Sequence, residues 1–173
     1  MKKSRQAALV PGLFLIILAA LALSAAAKDK WTWGDYSWGV YGGNKEASRL
    51  GREELMAREN YCPTSGCVVR LESVSVKPPL ARKGARLVLA TSYTILTPEQ
   101  IAIPVTITRE IVFKGKSLGK TKTMETRKLN GTWDQETNFF LPGDAAPGEY
   151  TLITQVSTGY GMDTKSIQFR VEG

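Results

Sequence analysis

Residues able to support catalysis are scarce in this chain of 173 residues. It contains no histidine, so neither a Ser-His-Asp nor a Cys-His system can be assembled. Ser117-Leu118-Gly119-Lys120 matches the S-x-x-K pattern of Ser/Lys acyl-transfer enzymes. Those enzymes carry the pattern at the start of a helix, whereas here it lies beside a predicted turn, among Gly and Lys. We therefore expect that the protein is not an enzyme.

The acidic residues form no recognisable site either. Glycoside hydrolysis needs a pair of carboxylates at one bond, and a calcium loop needs the D-x-D-x-D-G spacing. The acids in question are scattered along predicted solvent faces: Glu99, Glu110, Glu125, Asp134 and Glu136. A metal site would need more ligands than a chain without histidine offers. The sequence thus predicts no catalytic residue, no metal and no cofactor.

The two cysteines are the main covalent feature. Cys62 and Cys67 enclose Pro63-Thr64-Ser65-Gly66, a turn-forming sequence that lets the two sulfurs meet. In an oxidising compartment such a pair is expected to form a disulfide, and so short a loop would contribute roughly 2 kcal/mol through chain entropy. A redox-active pair is the alternative, although the spacing is C-x4-C and not C-x-x-C.

An aromatic and glycine-rich segment, residues 31–43, is suited to binding a partner. Its large rings are the candidate partner-binding residues: Trp31, Trp33, Tyr36, Trp38 and Tyr41. Tyr and Trp dominate protein interfaces, and their flat rings also suit stacking on sugars. The predicted partner is therefore an envelope protein or a glycan. The alternative is a tether whose rings lie partly over the rest of the domain.

A run of lysines begins in a predicted turn, Lys114-Gly115-Lys116, and continues into the next predicted strand: Lys114, Lys116, Lys120 and Lys122. Lysine on an exposed edge strand discourages aggregation between sheets, so one interpretation is a solvated edge strand. The other is a surface for acidic glycans, lipid headgroups or an acidic partner. A nucleic-acid partner is not expected, because the chain after residue 27 is only mildly positive.

The N-terminus has the three-part plan of a secretory signal peptide. A positive stretch at residues 1–5 precedes an apolar run at residues 13–23, and the small residues 24–27 follow. Cleavage there predicts a periplasmic or secreted protein with no stable membrane span. An uncleaved anchor is the alternative, because the apolar run approaches the ~20 residues that cross a bilayer.

Three regions result: a signal peptide at residues 1–27, a segment at 28–67 that holds the aromatic residues, a short helix and the cysteine loop, and a β-domain at 68–173. The helix is predicted over residues 45–61, with Asn44 as its N-cap. Because the strands of the β-domain bury their own apolar faces, we expect a chain that starts near Tyr61 to fold alone.

Residues 68–171 alternate in the manner of strands, and turn signals divide them into seven. A change of apolar phase between Leu71 and Val74 predicts a bulge. Pro104 suggests that the third strand starts on an edge, Arg109 interrupts the apolar face of that strand, and Asn130-Gly131 is the strongest hairpin signal. The predicted core residues are Leu87, Leu89, Val105, Ile107, Ile111, Trp133, Phe139, Leu152, Ile167 and Phe169.

Seven short strands with regular turns predict a Greek-key sandwich. Pro147-Gly148-Glu149-Tyr150-Thr151-Leu152, with Ile167-Gln168-Phe169-Arg170-Val171 as the closing strand, resembles the last two strands of bacterial immunoglobulin-like domains. Lys83-Gly84, followed by Leu87 and Leu89, resembles their second strand. The resemblance covers residues 68–172 and implies a fold rather than a function. The antibody-type cysteine pair across the core is absent.

The predicted architecture is all-β: an immunoglobulin-like Greek-key sandwich of about seven strands, preceded by a short helix and the aromatic segment. The predicted function is that of an exported, non-enzymatic binding or structural module of the bacterial cell envelope, acting through protein–protein interaction. The alternative is a carbohydrate-binding accessory domain that uses the aromatic segment.

Overall fold

The computed structural model describes residues 38–61 and 66–173, apart from the side chains of residues 120–125. Its elements, numbered in chain order, are β1 (Val40–Leu50), α1 (Arg52–Glu59), β2 (Val68–Lys77), β3 (Leu80–Arg82), β4 (Arg86–Leu96), β5 (Ile103–Phe113), β6 (Lys116–Lys128), β7 (Gly131–Phe140), β8 (Gly148–Thr158) and β9 (Gly161–Glu172). Within these residues, no helix has the length and apolar character needed to cross a membrane.

The strands form two sheets. Sheet A has the order β1-β7-β4-β2, and sheet B has the order β3-β9-β8-β5-β6. Neighbouring strands are antiparallel except β3 and β9, which are parallel. Side chains of a strand point alternately to the two faces of its sheet, and the inward faces of the two sheets meet in the core. The prediction of an all-β structure with two sheets is confirmed.

Two clusters of buried side chains fill the interior. One surrounds Phe139 and Tyr150, and the other surrounds Tyr93 and Ile95. Most of the predicted core residues are buried: Leu87, Leu89, Val105, Ile107, Ile111, Phe139, Leu152 and Phe169. Trp133 and Ile167 are partly buried and pack against these clusters. Each fully buried aliphatic or aromatic side chain contributes about 1.5–3 kcal/mol to folding.

The first described strand, β1, departs from the sequence-based expectation. Its residues pair with β7 from Val40 opposite Phe140 to Leu50 opposite Thr132. The helix prediction is therefore wrong for residues 45–50, where strand pairing outweighs local helix propensity. The helix itself begins after Gly51, its N-cap, and ends at Asn60, whose φ of 47° is left-handed.

Strand β1 also changes the extent of the sandwich. The described residues hold nine strands, not about seven, because β1 and the three-residue β3 were not expected. The helix lies between β1 and β2 instead of preceding every strand. Strand pairing thus begins at Val40, within the segment that the sequence assigned to a separate N-terminal region.

Several strand details match the sequence-based predictions. The register between β2 and β4 shifts between Leu71 and Ser73, where a bulge was predicted. β5 pairs with β8 only from Thr106 onward, so Pro104 has a neighbour on one side alone. A proline, which lacks an N–H donor, is tolerated at such an edge.

The predicted hairpin at Asn130-Gly131 is wrong. β6 and β7 belong to different sheets, so these two residues carry the chain across the sandwich. The hairpin lies instead at Lys114-Gly115, which joins β5 to β6 with φ angles of 50° and 77°. Two positive φ angles are the signature of a type I′ turn. The sequence had assigned a turn there, and that prediction is confirmed.

Candidate functional site

Arg109 is the most unusual residue of the interior. It is fully buried on β5, and its Nη2 donates to Gln135 Oε1 at 2.8 Å and to Thr91 Oγ1 at 3.0 Å. Burial lowers the pKa of Arg109 to about 10, which still leaves the guanidinium charged at neutral pH. Arg109, which interrupts the apolar face predicted for this strand, is therefore a buried cation. It joins β5 to β4 and β7.

A partly buried ion pair lies on the β1 side of the sandwich. Glu46 and Lys128 contact each other, and about one seventh of each side chain is exposed. Tyr93 Oη donates to Glu46 Oε1 at 2.7 Å, and burial, followed by the nearby Glu46 carboxylate, raises the pKa of Tyr93. Lys128 Nζ lies 4.6 Å from the centroid of the Trp133 ring. These contacts connect β1, the edge strand of sheet A, to β6, the edge strand of sheet B.

A cleft of about 330 Å³ opens beside Trp133, where β1 meets the start of α1 and the loop between β4 and β5. It is lined by Ser48, Gly51, Arg52, Gln100, Leu129, Asn130 and Trp133. Asn130 fixes one wall, because its carboxamide accepts from Thr97 N and Oγ1 and donates to the carbonyl oxygens of Thr97 and Glu99. Trp133 Nε1 donates to Leu129 O at 3.0 Å, which fixes the indole.

Arg52 brings a positive charge to this cleft. Its Nη1 lies 2.7 Å from the sulfur of Met56, a weak acceptor. Its Nε is buried and has no hydrogen-bond partner among the described residues. No carboxylate of the described chain forms an ion pair with it. Among the described residues, no oxygen acceptor therefore holds the guanidinium.

The central rows on the outer face of sheet B carry little charge. Four rows of three residues cross β5, β8 and β9 in register: Thr106–Ser157–Met162, Thr108–Gln155–Thr164, Glu110–Ile153–Ser166 and Val112–Thr151–Gln168. Glu110 is the one ionisable residue in these rows, and every member is at least partly exposed. These rows therefore consist mainly of residues with hydroxyl, carboxamide and aliphatic groups. Charged positions of the same sheet flank them, at Glu149 and Arg170 in the next row and at Lys120 and Lys122 of β6.

The outer face of sheet A is different, because α1 covers part of it with Leu55 fully buried. An ion-pair network fastens the helix to the sheet: Arg70 contacts Glu59 at 3.0 Å and Glu72 at 2.8 Å. The hydrogen bond from Arg70 lowers the pKa of Glu59. Burial opposes the shift at Glu72, but hydrogen bonds from Thr94 and Arg70 outweigh it and lower the pKa of that carboxyl.

The structure describes two of the five candidate partner-binding rings. Trp38 stacks on Tyr150 with ring centroids 5.2 Å apart, and Tyr41 packs on Phe139 at 4.8 Å. Both rings are partly buried against the core, so much of their surface is already used within the domain. Trp31, Trp33 and Tyr36 lie outside the described residues.

The structure describes only one of the two cysteines of the predicted disulfide. Cys67 is exposed, and Cys62 lies outside the described residues, so the Cys62–Cys67 bond stays a prediction. Within the described chain, no group of three or more metal-ligating side chains is close enough to hold an ion.

Sequence reasoning missed the cleft. Trp133 was assigned to the core from its alternation with Phe139, and nothing in the spacing of Ser48, Arg52 and Gln100 links them. Only the crossing of β6 to β7 brings these elements together. Asn130 was the one lining residue that the sequence singled out, as part of a predicted hairpin turn. In the structure its carboxamide holds the loop between β4 and β5 instead.

No protein-family model and no curated protein matches the sequence. Among solved structures, the alkylpurine DNA glycosylase AlkC of Pseudomonas fluorescens is 14% identical over 61% of this chain and 30% of its own, with a TM-score of 0.45. A family 123 glycoside hydrolase from Clostridium perfringens is 10% identical over 62% and 27%, with a TM-score of 0.45. AvmM, which catalyses macrocyclization in alchivemycin A biosynthesis, is 8% identical over 62% and 90%, with a TM-score of 0.42.

The chain spans about a third or less of the length of the glycosylase and the hydrolase. At these scores the likenesses carry no argument about function.

Proposed function

We propose that this protein is an exported, non-enzymatic, immunoglobulin-like binding module of the bacterial cell envelope, and that its partner is another protein. The strand order supports the immunoglobulin-like assignment. Sheet A contains β2-β4-β7 and sheet B contains β9-β8-β5, which correspond to the A-B-E and G-F-C orders of that fold. β1 then takes the place of strand D beside E, and β6 extends the second sheet beyond C.

The observation that carries the binding function is the low charge of the central rows on the outer face of sheet B. Protein interfaces differ from other surfaces chiefly by having few charged residues at their centre, and charged residues make up 23% of this chain. The four rows across β5, β8 and β9 nevertheless contain one ionisable residue, Glu110. The outer face of sheet A bears a helix and ion pairs, so sheet B supplies the open face.

Photocrosslinking in envelope extracts tests this function. A benzophenone amino acid placed at Thr108 of the mature protein is expected to give a discrete crosslinked product, which Ile153→Lys removes because it places a charge at the centre of the face. The matched control is Ala47→Lys, an exposed position on sheet A. Crosslinks that survive Ile153→Lys, or that Ala47→Lys removes equally, would contradict the proposal.

Self-association provides the second arm of the test. If sedimentation shows a dimer of the mature chain that Ile153→Lys dissociates, the face binds a second copy, and the proposed envelope partner is wrong. A monomer that retains the crosslinked product supports a different protein as the partner.

The aromatic segment remains a second hypothesis for partner binding, now carried by Trp31, Trp33 and Tyr36. A carbohydrate platform that also used Trp38 is less favoured, because the ring of Trp38 stacks on Tyr150. Alanine at Trp31 and Trp33 separates the two surfaces: loss of capture by this variant, with Ile153→Lys unaffected, would assign binding to the segment and not to sheet B.

A further inference from the structure

The cleft beside Trp133 is lined by residues outside the β5, β8 and β9 rows of sheet B. Its volume of about 330 Å³ is at the lower end of the range for small-molecule pockets. This is room for one ring-sized group rather than for a peptide helix or a nucleic-acid strand. The size of the cleft therefore restricts the ligand to a small molecule or to a single residue of a polymer.

The charge of the cleft favours an acidic ligand. The Arg52 guanidinium has only a thioether sulfur as an acceptor, at 2.7 Å, and its Nε has no partner among the described residues. An arginine without an oxygen acceptor can turn toward a carboxylate and bind it through two parallel N–H groups. The N-terminus of α1, which has no side-chain cap at Gly51, adds partial positive charge on the same side.

The remaining lining groups favour a sugar ring as the body of that ligand. Trp133 presents indole surface to the cleft, and a flat, weakly hydrated ring packs well against the C–H face of a pyranose. The exposed side chains of Ser48 and Gln100 offer both donors and acceptors, as sugar hydroxyls require.

Hydrogen bonds hold the walls of the cleft in place. Asn130 makes four hydrogen bonds to the loop that carries Gln100, and the indole of Trp133 is fixed by Leu129 O and Lys128. A site whose walls are already ordered loses little conformational entropy on binding. The ordered walls explain how a small cleft can bind measurably.

We propose that this cleft binds a sugar that carries a carboxylate, of the uronic acid class, with Arg52 on the carboxylate and Trp133 against the ring. The site is separate from the protein-binding face on β5, β8 and β9. Either proposal can therefore fail without the other.

Titration with D-galacturonate, followed by NMR of the mature protein, tests the site. We expect saturable shifts of the Trp133 indole N–H with a dissociation constant in the millimolar range, as is usual for one weakly held sugar residue. D-galactose, which has a hydroxymethyl group in place of the carboxylate, is expected to bind about tenfold more weakly. Acetate at matched ionic strength is expected to leave the Trp133 signal unchanged.

Two substitutions identify the residue that recognises the carboxylate. Arg52→Gln is expected to weaken galacturonate binding about tenfold, and Arg52→Lys, which keeps the charge but not the planar fork, is expected to weaken it less. The matched control is Arg49→Gln, which removes an equal charge from an exposed position of β1 outside the cleft. Thermal unfolding of each variant confirms that it is folded.

Three results would overturn the proposal. Equal binding of galactose and galacturonate would remove the role of the carboxylate, and equal effects of acetate would remove the role of the sugar ring. A loss of binding in Arg49→Gln as large as in Arg52→Gln would show attraction to net charge rather than to a built site.

Discussion

Arg109 is a charged side chain at a position where the alternation of β5 calls for an apolar one. It lies between Ile107 and Ile111 in the inward-facing series, and it is the largest fully buried side chain among the described residues. Its hydrogen bonds to Thr91 and Gln135 place three polar groups from three strands in one layer. A polar layer of this kind fixes how the three strands are aligned, because a shift in the alignment would leave each polar group without its hydrogen-bond partner.

Replacing Arg109 tests how much this layer stabilises the fold. Arg109→Ala is expected to lower the free energy of unfolding by about 3 kcal/mol or more, because it leaves a cavity and orphans Thr91 and Gln135. Arg109→Met, which fills most of the volume, is expected to cost less. Urea denaturation measures both losses. An Ala variant within 1 kcal/mol of the wild type would show that this layer does not stabilise the interior.

The ion pairs of Arg70 predict how stability depends on pH. Glu59 and Glu72 have pKa values below the ordinary 4.5 in the folded protein, so their interactions stabilise it fully above that pH. This stabilisation is lost as the pH falls from about 4.5 through the lower folded-state pKa values. Unfolding midpoints measured between pH 7 and 3 are therefore expected to fall in acid.

Arg70→Gln removes the cation that contacts both carboxylates, so the acid-induced fall of the unfolding midpoint is expected to be smaller in this variant. Glu53→Gln provides the control, because it changes an exposed carboxylate of α1 that takes no part in the described ion pairs. If the two variants flatten the pH dependence to the same degree, the network has no special part in acid stability.

At the scale of elements, β1 shows where local patterns fail. Asn44 was a possible N-cap for a helix that began at residue 45, but β7 offers residues 45–50 a ladder of backbone hydrogen bonds. The bulges between Tyr41 and Asn44 and between Ser48 and Leu50 hide the strand period from inspection. The period of two is clear in β4, β5 and β8, which have no internal break against their central partners.

Replacing Trp38 measures how much the start of the described domain contributes to the free energy of unfolding. Its ring stacks on Tyr150 and lies 5.9 Å from Phe139, so Trp38→Ala is expected to cost about 2 kcal/mol or more. Tyr160→Ala, an exposed ring in the β8–β9 turn, is expected to stay within about 1 kcal/mol of the wild type. Urea denaturation of the two variants measures the difference.

The same contacts change the expectation for a truncated chain. Starting near Tyr61 removes β1 and Trp38, which exposes the β7 edge and the ring of Tyr150. We now expect this truncated chain to be less stable than the full domain, not independent of the missing residues. An equal unfolding midpoint would mean that β1 adds no stability.

At the scale of the whole molecule, the two sheets present different surfaces. Sheet A carries the helix and the ion pairs, and sheet B carries the rows with a single ionisable residue. The sequence predicted most strands of both sheets from their alternation, but not β1 of sheet A or β3 of sheet B. It did not predict the cleft or the order of the sheets, because these depend on long-range pairing that no local spacing records.

Export is the prediction that concerns the chain as a whole. Intact-mass analysis of protein secreted or released from the periplasm is expected to show a chain that starts at or near Lys28, as a small-residue cleavage site implies. Recovery of residues 1–27 in the membrane fraction would indicate a tethered protein instead. The same sample tests the disulfide, because alkylation without reductant should label neither Cys62 nor Cys67.

The position of β1 has a consequence for the order of folding. Val40 pairs with Phe140, so β1, the first described strand, has no neighbour until the chain has been synthesised through β7. Closing so long a loop is entropically expensive and slow. We therefore infer that β1 joins the sheet last, with φ-values near zero in the folding transition state and the fastest amide exchange of any strand in sheet A.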